Sequence, residues 1–338
     1  MNKLKANIVL VITLVVVGCG SKLPEIIATV VTEQTPHDTD DPAIWVNPDN
    51  PSESIVFGTD KNTDGGVYAF DLNGKIIESK SIKNIKRPNN VDVEYGFKLT
   101  DSTETDIIAF SERERQQFRV FSVPDIQPLD NGGFKVFEGE TELEHNLPMG
   151  IALYKSPKTG SIYVIVGRKS GPKLGYLHQY ELVSDSLGVH ANLVRKFGAF
   201  SGKKEIEAIA IDNENGIVYF SDEGHCIRKY YAEPSMGDEE IGCFGGEYFK
   251  EDIEGIAIAK YADKGFLIVS NQQAHSFNIF DLETNAFIKE LNLGTIETDG
   301  CEVTTADLGS QFPNGLFVSM NNDRNFYFHD LDLLKLTE

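Results

Sequence analysis

The repeat that decides the fold occurs in Glu207-Ala208-Ile209-Ala210-Ile211 and again in Glu254-Gly255-Ile256-Ala257-Ile258. In both, a polar residue opens a short run in which apolar residues alternate with others. Such alternation is the period-2 pattern of half-buried strands. Similar segments occur at 41–45, 90–93, 149–153 and 299–303. Each is associated with a second strand-like segment that ends in a turn, at 67–72, 118–123, 177–182, 227–232, 277–282 and 326–331.

Six copies of one strand unit, spaced roughly 45 to 60 residues apart, predict an all-β fold, a six-bladed β-propeller of four-stranded antiparallel blades. One blade cannot bury both faces alone, so the stacked blades form one domain, residues 36–338. A β-sandwich would account for the strands but not for the sixfold repeat. We expect the β-rich stretch 26–31 to pair with the last blade, near 326–331, because an open ring would expose a strand edge.

The amino end differs from the rest of the chain. Lys3 and Lys5 precede an apolar run over residues 8–17, and small or apolar residues then lead to Cys19. This pattern predicts a bacterial lipoprotein signal over residues 1–18, lipid attachment at Cys19, and a leader with a closing strand over 19–35. The alternative is an ordinary secretory signal cut nearby. In either case we expect an exported protein, and the lipid would anchor it to a membrane, at the outer membrane or the periplasmic face.

The charge balance limits the partners. Among 338 residues, 31 are Lys or Arg and 52 are Asp or Glu, for a formal net charge of −21. Such a balance repels nucleic acid, so no nucleic-acid partner is expected, and the membrane is reached only through the lipid anchor. We expect a monomer.

The cysteines after Cys19 are Cys226, Cys243 and Cys301, without C-x-x-C spacing. Neither a zinc site nor a disulfide framework is indicated, and one bridge of undetermined pairing is possible.

The first residues of the six repeated segments form a predicted ring around one mouth of the propeller channel, because equivalent positions of innermost strands lie at the same height. These residues are Asp41, Asn90, Met149, Glu207, Glu254 and Asp299.

Four carboxylates in this ring would repel one another unless cations lay between them. Calcium, which takes six to eight oxygen ligands, is the predicted cofactor, with several ions bound. Further oxygens for its shells are nearby at Asp40, Asp222, Glu223, Asp252 and Gln272. The alternative is simple turn chemistry, since Asp and Asn favour strand starts.

Basic residues are predicted at the same mouth. Lys61, Arg113 and Lys169 each follow the second strand of a blade, where the chain returns to one rim. Together with calcium they would suit an anion with many phosphate oxygens.

The stretches Asp40-Asp41-Pro42-Ala43-Ile44-Trp45 and Asn89-Asn90-Val91-Asp92-Val93-Glu94-Tyr95 resemble the paired motifs of the β-propeller phytases. The resemblance spans roughly residues 36 to 325. It implies a calcium-dependent phosphomonoesterase that hydrolyses phytate, or calcium phytate, with a metal-activated water, giving lower inositol phosphates and phosphate.

The resemblance also implies roles for individual residues. Glu207, Asp222, Asp252, Glu254 and Asp299 would hold calcium, and Lys61, Arg113 and Lys169 would hold phosphate.

Three positions depart from the family pattern. Met149 stands where the family usually has a tyrosine, Asn62 replaces a second lysine after Lys61, and Glu94 replaces an arginine. Two alternative functions therefore remain open at this point: a non-catalytic binding propeller on a lipoprotein, and a calcium-dependent propeller lactonase or phosphodiesterase.

Overall fold

Six four-stranded antiparallel sheets are formed by residues 23–337, the part of the chain that this computed structural model describes. They are arranged as a six-bladed β-propeller, so the predicted fold class is confirmed. No α-helix occurs within residues 23–337, and the helical segments there are short 3₁₀ turns. These turns are Pro51–Glu53, Glu78–Lys80, Arg113–Arg115, Pro234–Met236, Gly246–Tyr248, Gln272–Ala274 and Leu331–Leu334.

The strands of each blade follow one another from the channel to the outer edge. Blade 1 is β2 (Thr39–Trp45), β3 (Ile55–Asp60), β4 (Gly65–Phe70) and β5 (Ile82–Ile85). Blade 2 is β6 (Pro88–Thr100), β7 (Thr103–Glu112), β8 (Gln117–Val123) and β9 (Phe134–Lys135). Blade 3 is β10 (Pro148–Lys155), β11 (Ile162–Arg168), β12 (Leu174–Asp185) and β13 (Gly188–Ala199).

The second half of the ring follows the same order. Blade 4 is β14 (Ile209–Asp212), β15 (Ile217–Asp222), β16 (Cys226–Tyr231) and β17 (Glu240–Phe244). Blade 5 is β18 (Ile253–Lys260), β19 (Gly265–Asn271), β20 (Ser276–Asp281) and β21 (Phe287–Leu291). Blade 6 is β22 (Cys301–Thr304), β23 (Leu316–Asn321), β24 (Asn325–Asp330) and β1 (Val30–Val31).

The hydrophobic core lies between neighbouring blades. Each of six apolar clusters combines residues from two adjacent sheets. Phe57 of blade 1 and Phe110 of blade 2, for example, belong to one cluster and are fully buried. Phe70 and Phe326 join blades 1 and 6, with ring centroids 5.8 Å apart. Because the two faces of a blade are buried against different neighbours, each blade depends on the ring being complete.

A register irregularity recurs near the start of the innermost strand in four blades. The pairing of this strand with the next one shifts between Thr39 and Pro42, Pro88 and Val91, Pro148 and Ile151, and Ile253 and Ile256. A bulge of this kind turns consecutive side chains in new directions. Of the two residues inside each shift, one can therefore face the channel mouth and the other the channel interior.

The amino-terminal segment closes the ring. Val30 pairs with Phe328 and Val31 with Tyr327, so that β1 is the outermost strand of blade 6. The Phe326 N–H also donates to Thr32 Oγ1 at 2.9 Å. The predicted pairing of the stretch 26–31 with the last blade is confirmed at these residues.

One disulfide lies in blade 4. It joins Cys226 in β16 to Cys243 in β17, and Cys301 is a buried free thiol. The pairing that the sequence left open is thereby assigned.

The predicted signal (residues 1–18) and the lipidation site Cys19 lie outside the described residues. Within the described part of the chain, none of the helices has the length and hydrophobicity needed to span a membrane.

A proline at Thr29 tests the contribution of the closing segment. The Thr29 N–H donates to the Phe328 carbonyl at 2.8 Å, and its Oγ1 accepts from the Asp330 N–H at 3.1 Å. Because proline has no N–H, we expect Thr29→Pro to lower the free energy of unfolding by about 1 to 3 kcal/mol. Thermal or urea unfolding measures the loss. The control Thr29→Val keeps the N–H, and equal losses in both variants would show that the backbone bond does not stabilise the ring.

Candidate active site

A pocket of about 500 Å³ opens at the end of the channel where the innermost strands begin. All six blades or their connecting loops contribute to it. Its lining residues are Lys61, Arg87, Asn89, Arg113, Glu144, Met149, Lys169, Ser170, Lys204, Glu205, Glu207, Glu223, Asp252, Glu254, Gln272 and Asp299. The structure thus brings together all three predicted phosphate-binding residues and most of the predicted metal ligands.

The turn after the second strand of a blade delivers side chains to this pocket repeatedly. Lys61 follows β3, Arg113 follows β7 and Lys169 follows β11, as the sequence predicts. Glu223 and Gln272 follow β15 and β19 in the same way. Equivalent turns around the ring therefore supply cations in blades 1 to 3, and a carboxylate and an amide in blades 4 and 5.

Carboxylates from blades 4 and 5 form the acidic half of the pocket. Glu205, Glu207 and Glu223 each place an oxygen within 4.8 Å of the others, and so do Glu223, Asp252 and Glu254. Glu223 belongs to both groups and joins them. Glu205 Oε2, Glu223 Oε1 and Glu254 Oε2 are buried and have no hydrogen-bond partner among the described residues.

Burial and mutual repulsion disfavour the charged forms of these acids. Burial, followed by the charge of Glu207, raises the pKa of Glu223 to about 10. Burial and the charge of Glu223 raise the pKa of Glu254 well above its usual value, and the pKa of Glu207 is raised by burial and by Asp40. Without added positive charge, the cluster cannot be fully ionised near neutral pH.

Lysines at the edge of the acidic half are paired with carboxylates. Lys61 Nζ lies 2.9 Å from Asp40 Oδ1 and also contacts Asp299. Burial opposes the charge on Lys61, but Asp40 and Asp299 outweigh it, so the pKa of Lys61 is raised and the ammonium persists. Burial raises the pKa of Asp299 to about 6 against the opposing effect of Lys61.

Other polar contacts extend this pairing around the pocket. Lys169 Nζ lies 2.6 Å from Glu205 Oε1, and Lys204 contacts Asp252. Gln272 donates its amide to Asp299. Each of these cations therefore already has a carboxylate partner.

The predicted ring is wrong by one residue in blades 1 and 2. Asp41 and Asn90 line the channel interior, a separate cavity of about 220 Å³, whereas Asn89 lines the pocket. Asp40, the neighbour of Asp41, is buried beneath the pocket against Lys61 and Asn89. The bulge separates the two members of each pair, which alternation along a regular strand does not reveal.

A second shift by one residue concerns blade 4. The Asp222 carboxylate accepts hydrogen bonds from Ser201 Oγ at 2.7 Å and from Arg228 Nε at 2.8 Å, and it does not line the pocket. Glu223 takes the place that the sequence assigned to Asp222. The reason is that Asp222 is the last residue of β15, while Glu223 lies in the turn.

Sequence reasoning missed four charged residues of the pocket: Arg87, Glu144, Lys204 and Glu205. A signal existed for Glu205, which stands two residues before Glu207 as Asp252 stands two before Glu254. Arg87 directly precedes the strand that carries Asn89. We find no pattern in the sequence that marks Lys204.

The three departures from the family pattern lie in different places. Met149 lines the pocket, is almost fully buried and contacts the Arg113 guanidinium. Asn62 and Glu94 are not among the pocket-lining residues, and Glu94 accepts a hydrogen bond from Asn213 at 2.6 Å. Arg168 is buried and bonded to Glu140 at 2.9 Å, so of the two adjacent basic residues Lys169 is the one that reaches the pocket.

Comparisons with known proteins agree with this geometry. The family model described as Phytase matches residues 20–327. The chain belongs to the phytase family. A relative of this phytase-family chain is the 3-phytase of Bacillus subtilis (strain 168), with 31% identity over 302 residues, covering 84% of this chain and 74% of that protein.

A solved structure shows likeness at the level of the fold. The WD40 β-propeller domain of Doa1 superposes with a TM-score of 0.53 and 10% sequence identity, covering 89% of this chain and 95% of that one.

The acidic half of this phytase-family pocket fits a hard divalent cation. Its donors are all oxygens, and three of them are buried without a partner, which is costly unless something binds them. The raised pKa values have the same cause, since these carboxylates are close together and poorly solvated.

A substitution at Glu254 tests this fit. Because Glu254 Oε2 is buried and unpartnered, we expect Glu254→Gln to stabilise the metal-free protein by about 1 kcal/mol. We also expect added calcium to raise the Tm of this variant less than that of the wild type. Thermal unfolding in excess chelator and in excess calcium measures both effects. The exposed Glu239 supplies the control Glu239→Gln, which should change neither value. A Tm for Glu254→Gln that is lowered equally in both buffers would contradict the assignment.

Proposed function

We propose that this protein is a calcium-dependent phytase that hydrolyses phosphomonoesters of phytate to lower inositol phosphates and phosphate. Membership in the phytase family and the relative named 3-phytase support phytate hydrolysis. The observation that carries the calcium requirement is a single pocket in which five close carboxylates face basic side chains from the opposite blades.

The metal ligands in this proposal are the carboxylates of the acidic half, in the two groups that share Glu223. Asp299 and Gln272 lie beside them. When bound, calcium supplies positive charge that polarises a phosphoryl group and makes water a better nucleophile. The chain's own contribution is to hold several carboxylate oxygens together, at a cost that a bound cation offsets.

The basic residues bind and orient the phosphate groups. Lys61 is held in place by Asp40, which is buried below it, so its ammonium is fixed before substrate arrives. Arg113 offers a planar guanidinium that can form two parallel hydrogen bonds with phosphate oxygens. Lys169 approaches from blade 3 and would exchange part of its contact with Glu205 for a phosphate oxygen.

Calcium also explains how an acidic protein can act on a polyanion. The chain has a net charge of −21, and the pocket itself contains six carboxylates from blades 4 to 6 besides Glu144. Divalent cations held by the protein or by phytate reverse the local sign of the potential. We expect calcium phytate, or another inositol phosphate that carries calcium, to be the substrate.

Phosphate release from phytate is the direct test. We expect the purified protein to release phosphate with calcium and to lose this activity in excess chelator. Glu207→Gln should lower kcat/KM by about tenfold or more, because it removes a charge from the proposed ligand set. Binding of phytate without release would favour the non-catalytic propeller, and activity only on lactones or phosphodiesters would favour the other alternative.

We further propose that the chain is exported and anchored to a membrane through lipid on Cys19, as the amino-terminal sequence indicates. Mass spectrometry of the membrane fraction should find a mature chain that begins with a lipid-modified Cys19. Cys19→Ala should move the protein out of that fraction without changing phytate hydrolysis. An unmodified Cys19, or an unchanged distribution of the variant, would exclude the anchor.

A further inference from the structure

Two arginines in the pocket differ from its other cations. Lys61, Lys169 and Lys204 each form an ion pair with a carboxylate. Arg87 and Arg113 form none: within residues 23–337, no carboxylate oxygen lies within 4.0 Å of either guanidinium. In a chain with a net charge of −21, cations without an acidic partner need an explanation.

One side-chain nitrogen of each arginine is also unsatisfied. Arg87 Nε and Arg113 Nε are both buried and have no hydrogen-bond partner among the described residues. The only side-chain contact of Arg113 in the hydrogen-bond network of residues 23–337 is with the sulfur of Met149, which is a weak acceptor. Buried donors without partners are rare in native structures and need an explanation, such as a functional role or a bound water or ion.

The backbone holds the two arginines next to each other. The Arg113 N–H donates to the Arg87 carbonyl at 3.0 Å, and the Arg87 N–H donates to the Asn62 carbonyl at 3.0 Å. Arg87 has a positive φ of 56°, a conformation that such flanking bonds must stabilise. The loop of Lys61, the start of β6 and the turn after β7 are thus tied into one basic surface.

Their proximity has an electrostatic consequence. Burial lowers the pKa of Arg113; the charge of Glu207 opposes this effect, and the charge of Arg87 adds to it, although the guanidinium stays protonated. Two like charges close together, with no carboxylate in direct contact, are unfavourable, and a bound anion with several oxygens relieves both the repulsion and the missing hydrogen bonds.

We propose that Arg87 and Arg113 together bind one phosphate group of the substrate, and that Arg87 is a substrate-binding residue of this pocket. This inference rests on the proposed function for the nature of the anion. A substrate with several phosphates meets the arginine pair with one group and the acidic half with another, since both line the same cavity. A molecule with a single phosphate gains only one of these two interactions.

Kinetics of Arg87 variants test the proposal. We expect Arg87→Ala to raise the KM for phytate about tenfold or more, with kcat changed by less than about threefold, because a charge-assisted contact to a non-reacting phosphate is lost. Arg87→Lys should recover only part of the affinity, because lysine keeps the positive charge but cannot form two parallel hydrogen bonds with a phosphate. The matched control is Arg115→Ala, a half-exposed arginine on the neighbouring turn that pairs with Glu112 at 3.4 Å and does not line the pocket.

A double variant separates shared binding from a packing effect. If both arginines hold the same phosphate, Arg87→Ala should cost much less in an Arg113→Ala background than in the wild type. Fully multiplicative losses, or a KM of folded Arg87→Ala within about twofold of the wild type, would overturn the proposal.

Binding of myo-inositol hexasulfate, which carries sulfates in place of phosphates, keeps this inference distinct from the proposed function. Calorimetry in calcium buffer should show weaker binding to Arg87→Ala and unchanged binding to Arg115→Ala. If the wild type releases no phosphate from phytate, the proposed function fails, yet this titration still decides the anion site. Equal binding of hexasulfate by wild type and Arg87→Ala would overturn the inference whatever the activity.

Discussion

Repulsion among buried carboxylates is the constraint on which the rest of the pocket depends. Glu207, Glu223 and Glu254 have raised pKa values because each is poorly solvated and close to other acids. A sequence selected only for stability would have apolar residues at these positions, or a cation paired with each carboxylate. Lysines do pair with the flanking acids, Asp40, Asp299, Glu205 and Asp252, but buried oxygens at the centre keep no partner among the described residues. The chain therefore accepts a local cost where a cation can bind.

The propeller tolerates this local destabilisation because its rigidity comes from the apolar packing between blades. Six apolar clusters between blades fix the innermost strands, and the bulges near their starts aim side chains at the mouth. Close contact between strands adds to this precision: a Cβ on Gly150 would lie 1.8 Å from the Glu207 carbonyl oxygen, so only glycine fits beside that residue. The backbone of the preceding blade thus contributes to the position of Glu207.

The sequence predicted the fold well because blade architecture repeats, and each copy of an alternating strand supports the same interpretation. It predicted the pocket less completely, since the errors arise where the repeat breaks. Asp41 is predicted at the mouth but lines the channel interior, because a bulge cannot be recognised from alternation. The resemblance assigns calcium to Asp222 and not to Glu223, because the end of β15 cannot be predicted from the sequence to within one residue. Arg87 is not predicted because it differs from the other pocket cations in having no ion pair with a carboxylate, a property that only three-dimensional contacts reveal.

The closing strand has a consequence for the order in which the molecule is built. Thr32 bonds to Phe326, so the first and last parts of the described chain are joined across 294 residues. Contacts between residues this distant in sequence tend to form late, because closing the long intervening loop costs conformational entropy before the contacts can stabilise the structure. Blade 6 contributes Asp299 to the pocket, and it gains its outermost strand only when the two ends meet. We therefore expect the pocket to be among the last features to be assembled, because a chain that is still being synthesised lacks part of its set of charges.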